Sequence, residues 1–398
     1  MKLYVILLSF LSILLPKENK KISIEIYEHD RIEWWSKFNN NGLNFNQSYI
    51  SLSYKNAFDN FDLLINTHTS NEKIIFGESY VSFHLADMYK VKFGRYYRDF
   101  STYLNDELSS GSMLIGTNAL PIPKIGLLGE YQIKKNNKFT YGISHSILDK
   151  NDTYNKSPFI HEKFLYLIKS DNNYEYGFGF VHEAMWAGSS YLKGQFPSSF
   201  KDFLKVIISA DEDKIEGQPH TNALGNHLGI WDFYFIKKNK SNISKFYYQH
   251  FFEDTSGLRF QNRFDGLWGV EYKNLSTKLN FVLEYINTSN QDRDPPYVNE
   301  NYYNHSEYTL GWSYKGYVIG NPFLDNINNN PSKVIHAGIS NNDLNNYKFK
   351  ILLSKRIDKN DTLKYSVSIG KLFKKFTTSF FINGSKSNNI GLRILYDI

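Results

Sequence analysis

From about Ile22 to the last residue, apolar and polar side chains alternate in runs of about eight to ten residues, broken by Gly, Asn, Asp, Ser or Pro. A period of two is the mark of a strand whose faces meet different surroundings. Ile50, Leu52 and Tyr54 share one face, and Tyr49, Ser51 and Ser53 the other. Val81, Phe83 and Leu85 oppose Glu78, Tyr80, Ser82 and His84. Tyr174, Tyr176, Phe178 and Phe180 oppose Glu175, Gly177 and Gly179. Leu279, Phe281, Leu283 and Tyr285 oppose Lys278, Asn280, Val282 and Glu284. Tyr308, Leu310, Trp312 and Tyr314 oppose Thr309, Gly311 and Ser313. Similar runs follow from Tyr347 and from Leu363. At the end of the chain Ile390, Leu392, Ile394, Tyr396 and Ile398 alternate strictly with Gly391, Arg393, Leu395 and Asp397.

These runs are long for a soluble sandwich or propeller, whose strands average about 5–6 residues, and no fixed-period repeat is visible. A strand crossing a bilayer needs about 9–11 residues, tilted. Aromatics make up 17% of the chain, yet the mean hydropathy is −0.46, so apolar residues must be interleaved with polar ones. Aromatics also fall at the ends of apolar faces, as at Tyr285, Tyr347 and Tyr396, where interfacial girdles lie. The expected fold is all-β: a transmembrane antiparallel β-barrel of about 18 strands, with long loops and short helices closing the lumen. The final run resembles the C-terminal insertion signal of bacterial outer-membrane barrels, ending in Ile where Phe is usual.

Lys2 followed by the apolar run Leu3 to Leu15 reads as an export signal, too short for a membrane helix of roughly 20 residues. The expected organisation is a signal peptide over 1–22 and a single barrel domain over 23–398. The absence of cysteine excludes disulfides, thiolate metal sites and cysteine nucleophiles. The net charge of +6 is dispersed, with no basic stripe of the kind nucleic-acid binding needs. The segments Asp87 to Lys124, Val181 to Asp202, Asp211 to Leu228 and Ile286 to His305 read as long connections. Their aromatic content predicts ordered loops folded over or into the barrel mouth. Trp231 and Trp312 alternate with apolar neighbours and are expected to face lipid, while Trp268 follows a glycine near a strand start and suits the interface.

The densest polar stretch runs from Glu216 to Tyr272, a Gly-marked loop, a hairpin and a second polar cluster. Around it stand Gly94-Arg95, Gly111 to Ile125 with Ala119-Leu120-Pro121-Ile122-Pro123-Lys124, and His182 to Ser190. They are followed by Asn222-Ala223-Leu224-Gly225-Asn226-His227-Leu228-Gly229, Tyr247 to Asp254, Ser256-Gly257 and Asp265-Gly266-Leu267-Trp268-Gly269. Glu284-Tyr285, Asn287-Thr288, Asn301 to His305, Gly311-Trp312 and Gly320-Asn321-Pro322 come next. In these stretches and their order the chain resembles the Wzi family of capsule-assembly outer-membrane proteins.

The resemblance implies a barrel of the bacterial outer membrane with a lectin-like role, attaching exported capsular or extracellular polysaccharide to the cell surface without catalysis. The partners expected are that polysaccharide, outer-membrane lipid and the barrel-insertion machinery. The protein is expected to be a monomer, without a cofactor. Sugars present paired hydroxyls to amides, carboxylates and Arg, and CH faces to Trp and Tyr. The candidate glycan contacts are therefore Trp186, His220, Asn222, Asn226, His227, His250, Glu253, Asp254, Arg263, Asp265, Trp268, Tyr302, Tyr303, Asn304 and His305. A second reading of the same His and Asn side chains is that they satisfy loop backbones and pin loops inside a polar lumen. His182-Glu183, His220, His227, His250, Glu253-Asp254 and His305 also supply metal-ligand types, but no pair has the His-Glu-x-x-His spacing and no metal is expected. Two rivals stand beside the lectin role: a barrel enzyme acting on lipid or glycan, although Ser256-Gly257 lacks the Gly-x-Ser-x-Gly context, and a porin-like channel.

Overall fold

The computed structural model describes residues 20–27, 39–43, 49–70, 73–86, 88–212, 223–253, 255–290, 302–328, 331–344, 346–359, 361–386 and 388–397. Eighteen strands make its wall. The first group is β1 (Lys20–Tyr27), β2 (Tyr49–Ala57), β3 (Phe61–Ser70), β4 (Ser79–Ala86), β5 (Tyr89–Arg95) and β6 (Pro123–Lys134). Next come β7 (Asn137–Ile147), β8 (Phe159–Ser170), β9 (Tyr174–Trp186), β10 (Asn226–Lys238), β11 (Asn242–Phe252) and β12 (Gly266–Asn274). The ring is completed by β13 (Leu279–Asn287), β14 (Lys333–Leu344), β15 (Tyr347–Arg356), β16 (Lys364–Phe373), β17 (Phe376–Gly384) and β18 (Asn388–Asp397). Each strand pairs antiparallel with the one before it. The last pairs back onto the first, with Ile22 opposite Tyr396 and Ile26 opposite Leu392. Closure leaves no edge with unpaired backbone groups, which lipid would not satisfy.

The connections sort by length. Turns 58–60, 135–136, 171–173, 239–241, 275–278 and 374–375 cluster at one end, and the long segments 96–122, 187–225, 253–265 and 288–332 leave from the other. Helix α1 (Phe200–Ile208) starts at a capping box in which Ser199 and Asp202 each accept from the other's backbone N–H. A single turn, α2 (Thr255–Leu258), opens the 253–265 loop.

The alternation expected from sequence sets the two faces. Phe83, Leu85, Ile125, Leu165, Tyr176, Phe178, Leu283 and Ile369 are exposed on the outside, as lipid-facing residues must be. Tyr248, Trp268 and Tyr285 stand in register on β11, β12 and β13 and stack at 4.8 and 5.7 Å, forming part of an aromatic girdle near the long-loop end. Trp231 lies on the same outer face, as expected, with its indole N–H 3.4 Å from the Leu258 carbonyl.

On the lumen side, Tyr234, Tyr166 and Tyr247 lie over Gly177, Gly179 and Gly269 of an adjacent strand. A Cβ at these glycines would come within 1.9, 2.1 and 1.9 Å of the rings. Glycine is required there by close approach rather than by a turn.

Three expectations need correction. The stretch Asp87–Lys124 is not all loop: Tyr89–Arg95 is a wall strand, and only 96–122 leaves the barrel. Val181–Trp186 likewise continues β9. The run Tyr308–Tyr314 is not a wall strand, and Trp312 does not face lipid. It is fully buried inside the barrel and donates to the Leu114 carbonyl at 2.8 Å. Tyr308 and Tyr314 are buried with it, because aromatic loop residues pack there against another loop and not against acyl chains. Of the 1–22 span expected as a signal, residues 1–19 lie outside the described residues, which begin with β1 at Lys20.

Candidate functional site

Three loops fold into the mouth and fill one side of the lumen: 39–43, 96–122 and 302–328. They are stitched to one another through backbone groups. Asn41 N–H donates to Thr117 O at 2.7 Å, and Gly116 N–H to Ile319 O at 2.9 Å. Asn118 Nδ2 donates to Val318 O at 3.0 Å, and Asn321 Nδ2 to Gly111 O at 3.0 Å. The Tyr303 hydroxyl donates to the Met113 carbonyl and accepts from Asn321 N–H at 2.7 Å. Leu108, Met113, Leu114, Tyr303, Trp312, Ile319 and Phe323 make this plug part of one core that reaches the lumenal faces of Phe164, Tyr166, Tyr247 and Val282.

The wall grips the plug with buried ionisable side chains. Glu271 on β12 accepts from Leu104 N–H at 2.9 Å and Asn105 N–H at 3.1 Å, and pairs with Lys245 at 3.3 Å. Lys245 in turn donates to the Thr102 carbonyl. Glu284 on β13 accepts from Ser109 Oγ and Ser110 N–H, both at 2.7 Å, and from the Tyr247 hydroxyl. Asp232 on β10 accepts from Tyr166 Oη at 3.0 Å and Gln249 Nε2 at 3.2 Å on the wall, and from Thr102 Oγ1 of the plug at 3.4 Å. His336 on β14 holds Leu108 O at 2.7 Å with Nε2, and its Nδ1 accepts from Ser354 Oγ at 2.7 Å. Each charge-assisted bond contributes about 1.5–3 kcal/mol, so the plug is a rigid insert. Between it and β14–β18 remains a cavity of about 660 Å³ whose polar lining includes Ser340, Lys348, Lys350, Ser366, Ser368 and Arg393.

The sequence-derived candidates are distributed around this plug. Tyr302 is buried, donates to Asp265 Oδ2 at 2.7 Å and accepts from Asn262 Nδ2 at 2.7 Å. Burial, with Asp265 beside it, pushes its phenol well above the ordinary range and keeps it a donor. Asp265 also accepts from Asn290 N–H at 2.8 Å. This knot ties the 253–265 loop to the 302–328 loop, and Arg263 and Asn304 leave from its two sides. The Arg263 guanidinium is exposed and lies over the Phe264 ring at 5.2 Å. Asn304 is half-buried and donates to Ile327 O at 3.0 Å. His305 Nδ1 accepts from Glu307 N–H at 3.2 Å and Tyr308 N–H at 3.3 Å. Burial, with His227 nearby, holds the His305 imidazole down to about 4. Glu253 is half-buried at the start of the 253–265 loop.

The other candidates are placed differently. His250 faces outward on β11 beneath its own loop, stacked on Phe260 at 4.4 Å with Nε2 on Gly257 O at 2.8 Å. Trp268 belongs to the outer girdle. Trp186 and His227 face outward near the long-loop end, buried under α1; His227 bridges His182 Nε2 and Leu224 O, both at 2.9 Å. Asn226 is fully buried at an inward position of β10, and Tyr303 is buried in the plug. His220, Asn222 and Asp254 lie outside the described residues. Among the described residues, no three His, Asp or Glu side chains stand together as a metal-ligand set.

Sequence reasoning missed the gripping residues Asp232, Lys245, Glu271, Glu284 and His336. Their signal was present, since each is an ionisable group at the polar parity of a strand that crosses the apolar layer. What the sequence lacked was the partner, which lies up to 228 residues away.

The profile of the family described as "Capsule assembly protein Wzi" matches residues 30–336. Among solved structures, the chain is similar to Wzi of Escherichia coli, described as an outer membrane protein involved in group 1 capsule assembly and a carbohydrate-binding β-barrel. That likeness has 15% identity and a TM-score of 0.64, and covers 99% of this chain and 87% of that one. A Rhodopseudomonas blastica porin is matched at 9% identity and a TM-score of 0.38, covering 95% of this chain and 98% of the porin. No curated protein matches the chain.

Proposed function

The chain belongs to the family of the capsule assembly protein Wzi, and from that premise we propose that it is an outer-membrane barrel whose long loops hold exported polysaccharide at the cell surface. The observation that carries this reading is the plug. A barrel this wide encloses a channel unless something fills it, and here three interlocked loops fill its β8–β13 side, narrowing the lumen to the polar cavity along β14–β18, while presenting a rigid face at the long-loop end. Rigid loops suit binding, because little ordering entropy is lost when a ligand docks.

The proposed contacts surround the Tyr302–Asp265 knot. Arg263 offers paired N–H donors to sugar hydroxyls or carboxylates, Phe264 an apolar platform, and Glu253, Asn304 and His305 further polar groups. Tyr302, Tyr303 and Asp265 act through these residues by fixing the loops. The role is non-catalytic. His250 uses Nε2 on Gly257 O and has Nδ1 beside Tyr248 Oη and Asp265 O, so neither of its ring nitrogens is aimed at a substrate. The protein acts as a monomer in contact with outer-membrane lipid, inserted by the host's barrel-assembly machinery, with no cofactor.

Deletion of the gene is expected to leave polymer synthesis intact while releasing the polymer into the medium. Restoring the wild-type gene, but not an Arg263→Glu variant, is expected to return it to the cells. A deletion strain that keeps its polymer cell-bound would overturn the proposal.

A further inference from the structure

One patch of the outer wall differs from the rest. At the outward positions of β7 to β10 nearest the long loops stand His145, His161, Lys163, His182 and His227, where the wall elsewhere presents Ile, Leu and Phe. Histidine and lysine facing acyl chains would be costly. Here they are covered. Helix α1 lies along the outside of the barrel over this patch, and the ring of Phe203 packs on His145, His161 and Trp186 at 5.4, 5.6 and 5.2 Å. Val206 packs with Ala184 and Trp186. The Lys163 ammonium donates to the Ile207 carbonyl at the end of the helix, and Ser209 Oγ stands 3.0 Å from His182 Nε2.

Away from the barrel, α1 presents a second apolar strip, flanked by Lys201 and Lys205. Phe200, Leu204 and Ile208, one above the other at i, i+4 and i+8, are 74%, 48% and 74% exposed. On the segment leading to the helix, Tyr191 and Leu192 are 67% and 83% exposed. In water such a strip would be an aggregation liability. Its position supplies the occupant. One strand step toward the turn end, the wall below α1 opens into an apolar groove lined by Leu165, Leu167, Phe178, Phe180 and Trp231. The strip on α1 thus continues the lipid-facing band of the barrel, outward and upward.

We propose that α1 is an in-plane membrane helix: acyl chains of the leaflet on the long-loop side cover Phe200, Leu204 and Ile208, and the helix keeps the histidine-lined wall out of lipid. The 187–212 segment is thereby fastened to the bilayer and not only to the barrel. This inference rests on the transmembrane barrel and is independent of the polysaccharide reading.

The chain has no cysteine, so single-cysteine labelling needs no background substitutions. Leu204→Cys and Ile208→Cys, with Asp152→Cys on the 148–158 loop as the aqueous reference, are labelled with an environment-sensitive fluorophore in the full chain and reconstituted into phospholipid vesicles. Doxyl-labelled lipid is expected to quench positions 204 and 208 at least threefold more than position 152, and aqueous iodide is expected to show the reverse order. Phe200→Cys gives the same reading should one variant fail to show heat-modifiable folding. Iodide quenching at 204 and 208 equal to that at 152 would overturn the proposal. So would shielding that appears only at high protein density with fluorophore self-quenching, since a second copy and not lipid would then cover the strip.

Discussion

Glu284 carries three donors at once, the Ser109 hydroxyl, the Ser110 N–H and the Tyr247 hydroxyl, at an inward position of β13. Glu284→Ala leaves those buried donors without an acceptor, at a cost of about 3–5 kcal/mol. Glu284→Gln keeps the shape and one acceptor, and is expected to cost about half as much. The measurement is protease nicking within 96–122 on the folded barrel: fast in the alanine variant, intermediate in the glutamine variant, and slow in wild type. Equal nicking in all three would mean that the carboxylate does not hold the plug. Tyr302 and Arg263 separate positioning from contact. Tyr302→Phe removes one hydroxyl from the Asn262–Asp265 knot and is expected to cost about 1–3 kcal/mol. It should lower polysaccharide retention in part, along with loop stability. Arg263→Glu reverses an exposed charge, so retention is expected to fall at least tenfold with no change in the unfolding transition. A loss of stability in Arg263→Glu comparable to that in Tyr302→Phe would contradict this division.

At the scale of elements, the wall was legible because a period of two leaves little choice in a long strand: a one-residue slip would turn every side chain to the other face. The same rule failed at Tyr308–Tyr314. There the alternating aromatics meet other loops on both sides, and periodicity does not say what a face touches. Nor does periodicity tell what covers Trp186, His227 and His250, which sit among loop-rich polar residues in sequence and occupy strand ends covered from outside by their own loops. The glycine positions on β9 and β12 were visible, but the rings above them are on neighbouring strands. Within the 302–328 loop, His305 makes a pH test. Its imidazole is held to about 4 by burial, against about 6.5 when the loop opens. Between those values the open loop binds more protons, so loop stability is complete above about pH 6.5 and falls as pH drops toward 4. Amide exchange of residues 302–328 is expected to speed up from pH 7 to pH 5 beyond its chemical rate, and His305→Gln should abolish the excess. An unchanged excess in that variant would assign the effect to another group.

At the scale of the molecule, closure and filling are separate problems with separate solutions. Antiparallel pairing of eighteen strands, ending with β18 on β1, settles the backbone in lipid. It also creates a lumen that side chains alone do not fill. The chain fills it with 39–43, 96–122 and 302–328 on the side of β8–β13, where the wall carries Asp232, Lys245, Glu271 and Glu284. On the side of β14–β18 it leaves the polar cavity of about 660 Å³. Whether the whole is a plugged platform or a channel therefore turns on the plug alone, and bilayer conductance separates the two. Wild-type protein is expected to give no sustained current. Deleting residues 101–119 removes the segment that Glu271 and Glu284 hold, and should produce steady openings of porin size in a barrel that still shows heat-modifiable migration. Glu284→Ala should flicker between the two levels as the loosened segment leaves and returns. If wild-type protein conducts as freely as the deletion, the loops do not seal the lumen, and the porin-like alternative becomes the better account of this barrel.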